Sequence, residues 1–108
     1  MDINQTKTVL NLIKTTSLIS LQEDLFKYAI RYARIRTDWC LLSLDERKDL
    51  DSTRTKTHNA FIDSCNILSR NMKKVGEDNN WRAILGEDRK TIGDFACYIH
   101  CILGLEAR

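Results

Sequence analysis

Apolar side chains recur along residues 21–42 at a spacing that only a helix produces. Leu21, Leu25, Tyr28, Tyr32, Ile35, Trp39 and Leu42 are separated by 4, 3, 4, 3, 4 and 3 positions, a seam at heptad spacing. Phe26, Ala29, Ile30 and Ala33 widen the stripe, and Asp24, Lys27, Arg31, Arg34 and Asp38 take the opposite face. A second seam runs through Thr57, Phe61, Ser64 with Cys65, Leu68, Met72 and Val75. Lys73 and Lys74 set cations against the negative end of that helix, and Gly76 provides its stop.

Between the seams stands Ser43-Leu44-Asp45-Glu46, the pattern of a capping box. The serine hydroxyl accepts from the amide of Glu46, whose carboxylate accepts from the amide of Ser43. A helix therefore starts near Leu44. The stretch 45–56 that follows holds only Leu50 as a large apolar residue. One unbroken helix over 44–75 would be ~48 Å long, against ~33 Å for 21–42, at a rise of ~1.5 Å per residue. Two arrangements fit: a break at Asp51-Ser52-Thr53, with Ser52 as the new cap, which makes the two lengths nearly equal and is the leading expectation, or a polar helical end that projects beyond the bundle. The pattern predicts an antiparallel hairpin of 21–42 and about 53–75, turning near residue 47.

Residues 76–91 are irregular, with one helical turn expected at 81–85, capped by Asn80 and stopped by Gly86. Thr91-Ile92-Gly93-Asp94 repeats the capping-box spacing. The helix predicted from Ile92 to about Leu105 is apolar on nearly every side, through Phe95, Ala96, Cys97, Tyr98, Ile99, Cys101, Ile102 and Leu103. Ile3, Val9, Leu10, Leu12, Ile13, Leu18 and Ile19 predict a shorter, weaker helix over about 4–17. No segment alternates like a strand. The expected fold is all-α: one domain over residues 1–108, a small bundle of three to four helices, the hairpin completed by the apolar C-terminal helix 92–105.

Composition adds to this picture in three places. The absence of proline and the presence of only four glycines suit long helices joined by short turns. No run approaches the ~18 apolar residues of a membrane span, and Met1-Asp2-Ile3-Asn4 does not open a secretory leader, so a cytoplasmic protein with no membrane partner is expected. Its four cysteines are then expected as reduced thiols. A net charge of +2 from 17 basic and 15 acidic side chains is too balanced to imply a nucleic-acid partner by itself.

Candidate chemistry is sparse. Cys97 and Cys101 are one turn apart with His100 beside them, but a zinc ion needs four ligands. The remaining candidates are Cys40, Cys65 and His58, and the predicted hairpin sets Cys40 and Cys65 ~15 Å apart along the axis. Buried thiols packing as small apolar groups are expected instead, with no metal and no cofactor. Arg54 and His58 share a helix, as do the arginine and histidine of helical ribonucleases from toxin systems. Those have four or more residues between the pair, and this chain has three, so the pattern is not met. By the predicted register His58 faces Asp38, Trp39 and Cys40 as a surface histidine, and no catalytic set is expected. The acidic loop 77–80 lacks the spacing of a calcium loop.

Two basic stripes remain, Lys27 with Arg31 and Arg34, and Arg70 with Lys73 and Lys74. Interleaved Glu23, Asp24, Asp38 and Asp63 mark them first as solvated faces. The leading expectation is a non-catalytic protein-interaction module, binding another protein or itself as a homodimer, with Trp81, Tyr98 and Ile102 as interface candidates. The alternative is a small nucleic-acid-binding regulator using the two stripes.

Overall fold

The computed structural model describes residues 2–106. Five helices follow one another: α1 (Ile3–Lys14), α2 (Ile19–Leu41), α3 (Leu44–Lys74), α4 (Trp81–Leu85) and α5 (Arg89–Glu106), with no strand among the described residues. The chain is all-α, as its periodicity predicts. α2 packs along both α3 and α5, which also meet each other; α1 packs on α5 and on the single turn α4, and α4 in turn meets α3. Leu25, Ala29 and Tyr32 of α2 meet Phe61, Cys65, Leu68 and Met72 of α3 and Ile92, Phe95, Ala96 and Ile99 of α5 in one core.

The capping box at Ser43 forms. Glu46 N donates to Ser43 Oγ at 3.3 Å and Ser43 N donates to Glu46 Oε1 at 3.1 Å. The predicted break near Ser52 does not. α3 is one helix of 31 residues, ~46 Å long by its rise, and it spans the 47 Å length of the molecule. The reason is a polar seam that an apolar count misses. Arg47, Asp51 and Arg54 are spaced 4 and 3, on one face, and all three grip Trp39 of α2. The guanidinium carbons of Arg47 and Arg54 lie 4.2 Å and 4.4 Å from the centre of the Trp39 ring. They stand two turns apart on α3 and both lie over the ring. Trp39 Nε1 donates to Asp51 Oδ1 at 2.8 Å, and Arg47 also caps the end of α2 by donating to the carbonyls of Trp39 and Cys40.

Three boundaries also move. α1 stops at Lys14, and α2 begins at Ile19. α5 begins at Arg89, three residues before the predicted start, because Asp88 rather than Thr91 is its cap: Asp88 Oδ2 accepts from both Thr91 N (2.9 Å) and Thr91 Oγ1 (2.8 Å). At α4 the capping oxygen is that of Asn79, which accepts from Trp81 N, while Asn80 takes a positive φ of 66°.

The acidic loop after α3 is a latch. Glu77 accepts from Thr16 Oγ1, Ser17 N and Ser17 Oγ, and Asn79 Nδ2 donates to Leu12 O at 2.7 Å. These bonds tie the end of α3 to the α1–α2 turn. The Ser17 hydroxyl and amide, then Thr16, hold the Glu77 carboxyl below its ordinary range.

Candidate anion-binding cleft

Because α3 starts at residue 44, the hairpin turns at residues 42–43 and its register differs from the predicted one. Trp39 pairs with Asp51, and His58 lies against Tyr32 rather than against Asp38 or Cys40. That register, with α5 crossing behind, gathers cationic side chains from all three long helices around one cleft of about 300 Å³. Tyr32 and Arg36 enter from α2, Arg54 from α3, and Arg89 and Lys90 from the first turn of α5. Tyr32 and Arg36, four apart, share a face of α2.

Arg36 is the most firmly placed. Its Nη1 donates to Asp94 Oδ1 at 2.9 Å and reaches Cys97 Sγ at 3.5 Å. It also lies flat against the backbone of α5, which Gly93 permits: a Cβ at that position would stand 3.2 Å from Arg36 Cζ and 3.4 Å from the Tyr32 ring. Asp94 is the one acid in an ion pair with these four cations among the described residues. Asp88, at the rim and within the field of Lys90, is committed to its cap.

Beneath the cleft is His58, which is 2% exposed. Its ring stands edge-on to Tyr32, with centroids 5.0 Å apart, and neither nitrogen completes a hydrogen bond. Arg54 Nε is likewise buried without a partner. Burial first, then the positive charge of Arg89 and of Arg54, hold the imidazole below its ordinary pKa, with a partial offset from the Asn59 side chain and the Arg89 backbone. Buried polar nitrogens without acceptors cost stability, and they mark places where a molecule keeps something other than packing. The expectation of a surface histidine is overturned: the α3 register carries residue 58 inward.

The basic stripes predicted from linear spacing lie elsewhere. Lys27, Arg31 and Arg34 are exposed on the outside of α2, Arg31 lying 5.6 Å from the centre of the Tyr28 ring. Arg70 and Lys73 line a shallow groove with Arg82 and Asp63, and Lys74 is exposed. Tyr28 lies level with Ala60–Ser64, so Arg34 and Arg70 stand roughly 20 Å apart along the hairpin at ~1.5 Å per residue. Of the interface candidates, Trp81 is 1% exposed and donates through Nε1 to Met72 Sδ at 3.2 Å. Ile102 is buried and Tyr98 half-buried. Cys40 and Cys101 are exposed, Cys97 is half-buried, and burial pushes the Cys65 thiol up to about 12. No three His, Cys, Asp or Glu side chains gather as a metal site among the described residues.

Arg36, Arg89 and Lys90 were the residues that sequence reasoning passed over, and Arg54 was weighed only as half of a pair. They are scattered over positions 36–90, and only the folded register unites them. No helix of the described residues is long and apolar enough to cross a membrane. Compared with known protein families, curated proteins and solved structures, the chain matches none of them.

Proposed function

We propose that this protein is a binding module for an anionic ligand, held in the cleft among α2, α3 and α5. The carrying observation is the convergence of Arg36, Arg54, Arg89 and Lys90 on one small volume, with a single acid paired among them. Like charges around one volume repel, though solvent screens the exposed Arg89 and Lys90 and Asp94 offsets Arg36, and an anion there relieves what repulsion is left. Guanidinium groups are also the side chains that best bind oxyanions through paired N–H donors. This reading shares its ionic chemistry with the nucleic-acid alternative and uses different residues.

The test is an NMR titration with inorganic phosphate as the probe. Amide shifts are expected at 32–36, 54–58 and 89–94, weakened in Arg89→Ala and Lys90→Ala. Shifts confined to the groove of Arg70 and Lys73 would count against the cleft.

A second reading, docking to another protein, has its own observation. Leu41 and Leu44, 81% and 76% exposed, flank the α2–α3 turn. The apolar side chains of α5 do not support it, since Ile92, Phe95, Ala96, Ile99 and Ile102 are covered by this chain's own helices. Sedimentation of the wild type against a Leu41→Ser, Leu44→Ser double variant tests it: an identical monomer in both removes self-association.

A further inference from the structure

Resting on the anion-binding reading, the geometry points to a narrower ligand class: we infer that the cleft takes a terminal phosphate monoester, not a phosphodiester backbone or a carboxylate. The first reason is the number and origin of the donors. Arg36, Arg54 and Arg89 come from three different helices and line one volume, together with Lys90, the neighbour of Arg89 in the chain. A terminal phosphate offers three free oxygens and close to two negative charges. A diester offers two free oxygens and one charge, and a carboxylate offers two oxygens in a plane that a single guanidinium satisfies.

The second reason is what the cleft lacks. Binding a single-stranded nucleic acid along its length uses open aromatic faces on which bases stack. Tyr32, the one aromatic lining the cleft, is 2% exposed with its ring against His58, and Trp39 lies outside the lining with two guanidinium groups over it. The cleft presents no open aromatic face. The third reason is size. About 300 Å³ lies at the bottom of the usual range for ligand pockets, enough for a phosphate and the few atoms that carry it. The walls are stiff where this matters: Arg36 is pinned by Asp94 and fitted against Gly93, so its remaining donors are pre-oriented.

The ester could belong to a small molecule or to the end of a larger one, and the probes separate these. Calorimetric titration at about pH 7.5 would use glycerol 2-phosphate, dimethyl phosphate, citrate, and an RNA of about eight nucleotides with and without a 5′-phosphate. Glycerol 2-phosphate is expected to bind at least about tenfold more tightly than dimethyl phosphate and citrate. The 5′-phosphate is expected to strengthen RNA binding by at least about tenfold. Gain for the monoester alone assigns a small ligand, and a further gain for the phosphorylated RNA assigns a chain end; either supports the inference. Arg89→Ala is expected to lose about tenfold in monoester affinity, with Lys73→Ala, an equal loss of charge outside the cleft, unchanged. Equal binding of monoester, diester and citrate, all weakened by Arg89→Ala, would overturn the phosphate assignment and leave the anion cleft standing. Binding insensitive to Arg89→Ala, or equally weakened by Lys73→Ala, would overturn both.

Discussion

The two halves of α3 are one helix built on different physics. Residues 57–74 pack Phe61, Cys65, Leu68 and Met72 into the core, each at most 1% exposed. Residues 44–56 bury no side chain fully and are fastened to α2 by Trp39, held by two guanidinium groups and an aspartate. Residues 57–74 draw on removal of apolar surface from water, which does not depend on pH and is not weakened by charge screening. Residues 44–56 draw on charge-assisted contacts at a half-exposed surface, which weaken with salt and give less per contact. The cleft sits where the two halves meet, with Arg54 belonging to one and His58 to the other.

Substitutions should separate the halves, starting with the largest effect. Phe61→Ala removes a fully buried ring that also touches Phe95 at 6.2 Å, and is expected to cost about 3–5 kcal/mol of global stability in denaturant unfolding. Trp39→Ala should cost about 2 kcal/mol from two cation–π contacts and one hydrogen bond. Hydrogen exchange should then show residues 44–56 opening while the amides around Leu68 stay protected. Uniform loss of protection would show that the polar half is not separately held.

His58→Phe sharpens the boundary. An apolar ring of similar shape replaces nitrogens that complete no well-formed hydrogen bond, so stability at neutral pH should stay within about 1 kcal/mol or rise. The pH profile gives the sign. The folded imidazole titrates below the ordinary 6.5 of the unfolded chain, so the folded state binds fewer protons over that interval. Stability is full above about pH 6.5 and falls as the pH drops toward the depressed folded value. His58→Phe should flatten that fall below about pH 6.5; an unchanged slope would place the acid sensitivity elsewhere. Smallest in stability is Gly93→Ala. Helix propensity favours it by about 1 kcal/mol, and the 3.2 Å approach to Arg36 opposes it, so unfolding should move little. Phosphate-probe affinity should fall, because Arg36 must shift from its place against α5.

How much of this the sequence disclosed depends on which half is considered. The seams through Leu25 and Tyr32 and through Phe61, Leu68 and Met72 were legible because apolar periodicity reports burial. Ser43 and Glu46 were legible because a capping box is local. The continuity of α3 was not, because Arg47, Asp51 and Arg54 read as a solvated face until a tryptophan on another helix is placed among them. The same limit hid the cleft. Clustering along the chain favoured Lys27, Arg31 and Arg34, which point outward, while Arg36, two residues on, turns inward. Only the register separates these cases, and the register followed from the turn at residues 42–43.

Arg54 belongs to both systems at once, stacked on Trp39 and lining the cleft. By thermodynamic linkage, whatever occupies the cleft and holds Arg54 must also favour the docked form of residues 44–56. A saturating anion is therefore expected to raise the free energy of opening of that segment by RT ln(1 + [L]/Kd), about 2.7 kcal/mol at a hundredfold excess over Kd if opening abolishes binding. The far end of α3, whose opening exposes the core in any case, would register the ligand only as a change in global stability. The tryptophan clamp then acts as a reporter of occupancy, transmitting the state of the cleft to the tip of the hairpin at Leu41 and Leu44.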